Sequence, residues 1–430
     1  MVLSTKKFAS LYFILLLVCI YFPTFKVFDK ATAQYFFISI LNLVSLSLIP
    51  IYLKDINLKK YFIHPILLIY LIYTIISILS MIKSINVIES LVKIGQIITI
   101  LVPILIIIIL VQKKLFSTDL ILILISLSII IDIAFSLRGF IPFLTNNIEY
   151  SYDQNVRLVG LYGNRNILAT ILCFKIPFLI MLALRKRSKI ISYIAFIVTT
   201  IAFYNITLLS SRATYLSILL CLIFLFIVLL LTIKKHKSSK TNNIKTFLFF
   251  ILPLILSLIM SNLTIDSKDE GAVINRVSSI SSTDDVSKNT RLRYYSHAIL
   301  HTIKNPVLGG GIGNWKIISI KYDAENISNY IIPYNAHNDF LEAFAETGII
   351  GGVSFLAFFL YLFYLLIKNL VVRINSNDEI IFSVFLFLPF IIYFVDLNLN
   401  FPSSRPSNQV LMLLYIGIIL STQLKLDDKK

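Results

Sequence analysis

A histidine at the predicted start of a helix is the first candidate for chemistry. His337 precedes Asp339 and Glu342, whose spacing is typical of a capping box, and Gly348 can end the helix that they begin. The positive end of a helix dipole favours neutral imidazole, and neutral imidazole near pH 7 is what a general base requires. The alternative is that His337 only caps the helix, and the spacing by itself slightly favours that alternative.

Five arginines lie between predicted apolar segments: Arg157, Arg165, Arg212, Arg291 and Arg293. The planar guanidinium group makes bidentate hydrogen bonds to phosphate, which the point charge of lysine cannot match. If these side chains converge, they form a clamp for a diphosphate. For Arg212, which lies in a short connection between two apolar runs, a simple anchor at the membrane surface is an equally supported alternative.

Two further histidines, His297 and His301, are four residues apart on a predicted helix. This spacing can bind zinc when a third ligand is present, but no His-Glu-x-x-His pattern accompanies it. We therefore expect a surface or packing role for both, and we predict neither a metal nor a cofactor. The glycines from Gly309 to Gly313 are not followed by Lys and Ser or Thr, so they do not form a nucleotide-binding loop.

The elements that carry these residues are predicted to be membrane-spanning helices. The chain has 430 residues, of which 57% are hydrophobic and 14% charged, against about 25% charged in a soluble globular protein. Apolar runs long enough to cross a bilayer recur along nearly the whole length, and they are apolar on all faces, which excludes a soluble bundle. The fold class is therefore an all-α polytopic membrane protein with roughly 12 transmembrane helices. The predicted spans are 8–25, 34–53, 63–82, 91–111, 119–137, 166–184, 190–209, 213–233, 246–263, 349–367, 380–397 and 408–424.

The basic residues predict the orientation of these helices. The formal net charge is +17, and Lys and Arg are concentrated in every second connection, which is the positive-inside pattern. Cytoplasmic loops thus explain the charge, and nucleic acid is not an expected partner. Residues 1–430 are predicted to form a single membrane domain with both termini inside and external loops at 138–165 and 264–348, the second carrying part of the active site. Asp132 and Lys175, two intramembrane charges, are predicted to pair.

The longer external loop is predicted to contain an amphipathic helix. Leu292, Tyr295, Ile299 and Ile303 recur at helical spacing, which indicates one apolar face. We expect this face to lie on the bundle.

The segment around His337 resembles the O-antigen ligase and polymerase family of bacterial inner membranes. His337-Asn338, followed after nine residues by Gly348 and then by Gly351, is similar to the His-Asn…Gly-x-x-Gly signature of O-antigen ligases. This spacing alone is a weak motif, and its weight comes from further motifs in the same order.

Three such motifs precede it. Arg291 and the stretch Pro306–Gly313 are similar to the family's Arg…Pro-x-x-Gly-x-Gly stretch. Ser211-Arg212-Ala213 resembles Ser-Arg-Gly, with Ala in place of Gly. Arg157, Gly160 and Asn164-Arg165-Asn166 resemble Arg…Gly…Asn-Pro-Asn, with Arg165 where Pro is usual. The resemblance covers roughly residues 157–352, and the first five spans agree only in number and orientation.

The resemblance implies a multispanning, metal-independent, inverting glycosyltransferase without a cofactor, in the bacterial inner membrane and with its active site facing the periplasm. Its donor is a glycan on undecaprenyl diphosphate, its acceptor is a lipid A–core sugar hydroxyl or another lipid-linked glycan, and membrane lipids surround both. His337 would be the catalytic base. The substrate-binding residues would be Arg212, Arg291, Arg157, Asn338, Arg293 and Arg165.

Three functions remain open. The leading hypothesis is an O-antigen ligase, and the second is a polysaccharide polymerase, which has the same donor and a different acceptor. The third is a transporter or flippase of lipid-linked sugars. A transporter would place its key polar residues near the midplane, between repeats with broken helices. In this sequence the candidate residues cluster at the outer face, and no internal repeat is present.

Overall fold

The structure is a computed structural model that describes residues 4–23, 29–53, 58–145, 150–186, 188–235, 240–279, 286–327, 332–376 and 380–428. Over these ranges the protein consists of α-helices and short 3-10 helices, without a β-strand. The α-helices are α1 (Thr5–Val18), α2 (Lys30–Tyr52), α3 (Leu58–Phe62), α4 (Pro65–Ser80), α5 (Val87–Gln112), α6 (Thr118–Leu137), α7 (Ile141–Thr145), α8 (Arg165–Lys186), α9 (Lys189–Leu209), α10 (Arg212–Lys235), α11 (Lys240–Thr264), α12 (Val273–Ser278), α13 (Val286–Lys304), α14 (Trp315–Asp323), α15 (Asp339–Ser376), α16 (Ile380–Leu399) and α17 (Pro406–Asp427).

Eleven helices in the described ranges are long enough and apolar enough to cross a membrane. The prediction of an all-α polytopic membrane protein is therefore confirmed. The first predicted span, 8–25, corresponds to α1, which has 14 residues, and a 3-10 helix, Cys19–Tyr21. Together they are shorter than the roughly 20 residues that a spanning helix usually needs. Residues 24 and 25 of this span lie outside the described residues.

The longest helix, α15, is interrupted near its beginning. Gly348 has a φ of +72° and a ψ of −171°, which is not helical. The prediction that Gly348 ends a short helix is thus confirmed, and an apolar span continues directly after it. Residues 339–347, before the interruption, are called the leading segment below.

The chain divides into two compact units, which are described separately. The first unit contains Met1–Thr118, Val286–Leu365 and Leu397–Lys430. Its helices α2, α4 and α17 pack around α5. The second unit contains Asp119–Asp285 and Leu366–Asp396. In this unit α9 packs against α8 and α11, and α10 also contacts α8.

A buried ion pair lies within the second unit. The Nζ atom of Lys175 is 2.5 Å from a carboxylate oxygen of Asp132, and both side chains are fully buried. The hydroxyl of Tyr162 donates a hydrogen bond of 2.9 Å to the other oxygen of Asp132. The predicted pairing is therefore confirmed. Removal of one partner would leave an uncompensated buried charge, at a cost of about 3–5 kcal/mol.

The amphipathic helix predicted in the long loop is present as α13, but its orientation differs from the prediction. Leu292, Ile299 and Ile303, which were expected to lie on the bundle, are 55%, 46% and 68% exposed. The helix packs instead through Ala298, which is fully buried in a cluster with Trp315. The small side chain of Ala298 lets α13 approach the indole ring closely, and this contact decides which face is covered.

The orientation predicted from the basic loops can be tested by cysteine labelling. Lys60 in α3 and Lys321 in α14 are both exposed, and the three native cysteines are buried. We expect a membrane-impermeant maleimide to label Lys321→Cys in intact spheroplasts. It should label Lys60→Cys only after the membrane is permeabilised. Labelling in the opposite order would reverse the orientation and place the long loop in the cytoplasm.

Candidate active site

His337 lies in a tight turn directly before α15. Its φ of +56° is in the left-handed region, which few non-glycine residues adopt and which often marks functional sites. The side-chain oxygen of Asn338 accepts hydrogen bonds from the backbone N–H groups of Phe340 and Leu341, each of 3.1 Å. The N-cap of α15 is therefore Asn338. This corrects the capping pattern predicted from Asp339 and shows that the imidazole of His337 does not cap the helix.

The imidazole of His337 lies between two aromatic rings. The ring of Tyr294 stacks on it at a centroid distance of 6.3 Å, and Phe401 meets it edge-on at 5.3 Å. Its Nδ1 atom is buried and has no hydrogen-bond partner within the described ranges. Burial, and secondarily the positive charge of Arg291, lower the pKa of His337 to about 4. The imidazole is consequently neutral at pH 7.

Two polar contacts tie this turn to the neighbouring span ends. The hydroxyl of Tyr295 is 3.1 Å from the carbonyl oxygen of His337 and 2.7 Å from that of Asn398, so it can donate to either. A carboxylate oxygen of Asp339 accepts a hydrogen bond of 2.8 Å from the backbone N–H of Ser403. The position of His337 is thus set by α13 and by the connection between α16 and α17.

The other end of the leading segment is held by the glycine-rich stretch that follows α13. The backbone N–H groups of Gly310 and Gly311 donate hydrogen bonds of 2.9 Å to the carbonyl oxygens of Ala345 and Glu346. Gly309 has a φ of +62°, and an added Cβ atom would lie 2.5 Å from the carbonyl oxygen of Ala345. Only glycine fits this close backbone approach. The Pro-x-x-Gly-x-Gly stretch therefore serves here to hold the helix that begins after His337.

The two candidate arginines of α13 differ in their partners. Arg293 makes a bidentate ion pair with Asp323, with Nε–Oδ1 and Nη2–Oδ2 distances of 2.6 and 3.3 Å. Its charge is therefore already neutralised by a buried carboxylate. Arg291 is close enough to lower the pKa of His337 through its positive charge. Of the two, Arg291 is the better placed to meet a phosphate beside the histidine.

A cavity of about 470 Å³ opens beside the His337 turn in the first unit. This volume is within the range of small-molecule sites, roughly 300–1,000 Å³. Asn335 and Phe401 are among its lining residues, and Phe401 is also in edge contact with the imidazole of His337. The cavity therefore reaches the immediate surroundings of the histidine.

Buried carboxylates line one side of this cavity. Glu342 and Glu346 lie one turn apart on the leading segment and are 9% and 4% exposed. One oxygen of Glu342 accepts a hydrogen bond from the backbone N–H of Ala336, at 2.8 Å. One oxygen of Glu346 accepts from the backbone N–H of Trp315, at 2.9 Å. The remaining oxygens suit the hydroxyl groups of a ligand, because a carboxyl group can form hydrogen bonds with a hydroxyl group in either protonation state.

Basic side chains also line the cavity. Lys316 is paired with Glu89 at 2.5 Å, and Lys93 is a second basic lining residue. The guanidinium group of Arg405 lies 4.8 Å from the ring centroid of Phe401. Its Nε atom is buried without a hydrogen-bond partner within the described ranges. A cavity with carboxylates, cations and an aromatic ring offers the contacts that a sugar uses.

The second unit brings two arginines together on one tyrosine. The guanidinium groups of Arg165 and Arg276 lie 4.5 and 4.4 Å from the ring centroid of Tyr152, and both donate hydrogen bonds to its hydroxyl. Arg276 also donates to the carbonyl oxygen of Ser210, which has a φ of +51° and lies two residues before Arg212. Arg165 and Arg276 thus form a positively charged pair on Tyr152, and Arg212 begins α10 two residues after Ser210.

Sequence reasoning missed Arg276 and Tyr152. Arg276 lies 124 positions from Tyr152 in a polar, serine-rich stretch, where no spacing distinguishes it from a solvated residue. Arg157, which was predicted, is exposed and lies 5.6 Å from the ring centroid of Phe143. The structure does not bring Arg157 onto Tyr152.

The two histidines of α13 pack around Tyr322. The ring of His297 stacks on that of Tyr322 at 5.7 Å, and Nδ1 of His301 is 3.2 Å from the hydroxyl of Tyr322. His301 is buried. Both side chains thus have the packing role that was expected of them.

Comparison with family models finds a match over part of the chain. The model of a family described as O-antigen ligase matches residues 172–356. Arg212, Arg291 and His337 lie inside the matched segment, whereas Arg157 and Arg165 precede it. No curated protein matches the chain.

Proposed function

We propose that the chain transfers a glycan from undecaprenyl diphosphate to a sugar hydroxyl at the external face of the bacterial inner membrane. The match of the O-antigen ligase family model to residues 172–356 supports this proposal. The members of this family are glycosyltransferase-like enzymes that act on lipid-linked glycans, which supports the general class of reaction. The observation that carries the proposal is the His337 turn, in which a half-buried neutral imidazole lies near Arg291.

His337 acts as the general base in this proposal. A base with a pKa of about 4 is neutral at pH 7 but weak, so it needs activation. A bound diphosphate adds negative charge close to the imidazole and stabilises its protonated form, which raises the pKa. Proton transfer is most efficient when this value approaches the working pH. Donor binding therefore prepares the base that takes the proton from the acceptor hydroxyl.

The arginines bind phosphate in this proposal. In the first unit, Arg291 stabilises the negative charge that develops as the diphosphate leaves. In the second unit, Arg212, Arg165 and Arg276 are proposed to bind phosphate, and the ring of Tyr152 holds the guanidinium groups of Arg165 and Arg276 in place. Neither nucleotide nor an external energy source is required, because the diphosphate is already a good leaving group.

The acceptor sugar occupies the cavity beside His337. Glu342 and Glu346 would accept hydrogen bonds from sugar hydroxyls, and Phe401 would stack on the ring. Asn338, as the N-cap of α15, keeps the turn in place, and Arg293 keeps α13 attached to Asp323. Both are positioning residues in this proposal.

The acceptor separates a ligase from a polymerase, and an O-antigen ligase remains the leading hypothesis. Purified protein in proteoliposomes should be given the lipid-linked glycan together with lipid A–core or with a second lipid-linked glycan. We expect transfer to lipid A–core, and His337→Asn is the matched control that should not transfer. Chain extension on the lipid carrier alone would identify a polymerase, and absence of transfer to either acceptor would contradict the glycosyltransferase assignment.

The arginine group of the second unit yields a separate prediction. Arg276→Ala should lower transfer at limiting donor about 10–100-fold, the equivalent of one or two charged hydrogen bonds. Arg276→Lys should restore little of this loss, because lysine lacks the planar fork. The control is Lys268→Ala, an exposed basic residue of the same loop, which should transfer like the parent.

The transfer rate of each variant is measured as a function of donor concentration, and thermal unfolding shows whether the variant is folded. Full activity of a folded Arg276→Ala protein would remove the second-unit arginines from donor binding.

A further inference from the structure

The outward face of α13 carries an exposed apolar stripe that is interrupted by Ser296. Leu292, Ile299 and Ile303 belong to it, and Leu300 and Val307 beside them are 48% and 67% exposed. Exposed apolar patches of this kind usually mark an interaction surface. The first unit does not cover this stripe, because α13 packs against that unit through its opposite face. The stripe therefore needs another partner to cover it.

α13 and the leading segment beside it are joined by hydrogen bonds to the ends of neighbouring spans. Tyr295 of α13 donates to Asn398, where α16 ends. At one end of the neighbouring leading segment, Asp339 accepts a hydrogen bond from Ser403, just before α17 begins. The other end is joined to the glycine-rich stretch, in which the backbone N–H of Ile312 donates to Ser80 at the end of α4, at 3.0 Å. Since both ends rest on span ends, the leading segment and α13 beside it lie close to the plane of the membrane surface.

The apolar stripe ends beside a surface that lipid must cover. The backbone N–H of Ile349 donates a hydrogen bond of 2.8 Å to the carbonyl oxygen of Pro306, just after α13. Ile349 and Ile350 are 49% and 56% exposed and belong to a helix long and apolar enough to span the membrane. The end of the stripe therefore lies next to the outward apolar surface of α15.

We propose that α13 is seated in the external leaflet, with its apolar stripe at the boundary between headgroups and acyl chains. Helices with one apolar face bind in the plane of a membrane in this way. Lys288 and Lys304 are exposed near the two ends of α13, where they can meet anionic phospholipid headgroups. This position of α13 holds Tyr295, and with it the His337 turn, at the height of the headgroups. The proposal does not depend on the proposed transfer reaction.

Site-specific fluorescence in a bilayer tests whether the apolar stripe of α13 lies in the lipid. Ile303→Cys and Lys321→Cys, the second from the exposed polar side of α14, are labelled with an environment-sensitive fluorophore and reconstituted in phosphatidylethanolamine–phosphatidylglycerol nanodiscs. We expect a nitroxide on the lipid chains close to the headgroup to remove most of the emission at position 303. It should leave position 321 unchanged. Aqueous iodide should quench position 321 and spare position 303.

Two outcomes overturn the proposal. Iodide quenching at position 303 equal to that at position 321 would show that the stripe faces water. Protection from both quenchers would show that protein covers it. If Ile303→Cys does not fold, Leu292→Cys provides a second labelling site on the same face of α13. It should behave as position 303 does.

Discussion

Every buried backbone N–H and C=O group needs a hydrogen-bond partner, because leaving such a group unpaired costs free energy. The leading segment of α15 meets this constraint at an unusual place, between a left-handed residue and a glycine break. Asn338 satisfies the first N–H groups of the helix. The carbonyl oxygens at the other end are satisfied by Gly310 and Gly311. The turn at His337 and the cavity beside it exist because this short segment is held at both ends.

The chemistry proposed for the first unit follows from this placement. A histidine held in a turn, out of the helix and against aromatic rings, has a lowered pKa because burial disfavours its charged form. The same burial keeps Nδ1 without a partner within the described ranges, so the imidazole has capacity for a new hydrogen bond. An anionic donor then changes the electrostatics in the direction that a base requires. The low pKa of His337 in the empty site is therefore compatible with its proposed role as a general base near neutral pH.

Some of these features could be predicted from the sequence, and the reasons are physical. Asp132 and Lys175 could be paired because an isolated charge inside a membrane is too costly. Gly348 could be recognised as a helix end because glycine tolerates a positive φ. The N-cap could not be assigned, because Asn338 and Asp339 both fit the capping preference.

Other features were out of reach because they depend on contacts between distant segments. The outward face of α13 was decided by the packing of Ala298 on Trp315, which helical spacing does not reveal. The Tyr152–Arg276 contact joins two loops across 124 positions. The cavity is built from the ends of α2, α5 and α17 together with the long loop, and no single stretch of sequence carries its signal.

The central claim is that His337 is a base whose pKa rises when the donor binds. The most direct measurement is the pH dependence of transfer by the parent and by His337→Asn in proteoliposomes. For the parent, kcat/KM for the donor should fall as the pH approaches about 4, because kcat/KM reports the pKa of His337 in the free enzyme. The acid limb of kcat should lie at higher pH, because it reports the donor complex. His337→Asn should lack this limb and be slower by about 10²–10⁴-fold. A folded His337→Asn protein with the rate and the acid limb of the parent would contradict the account.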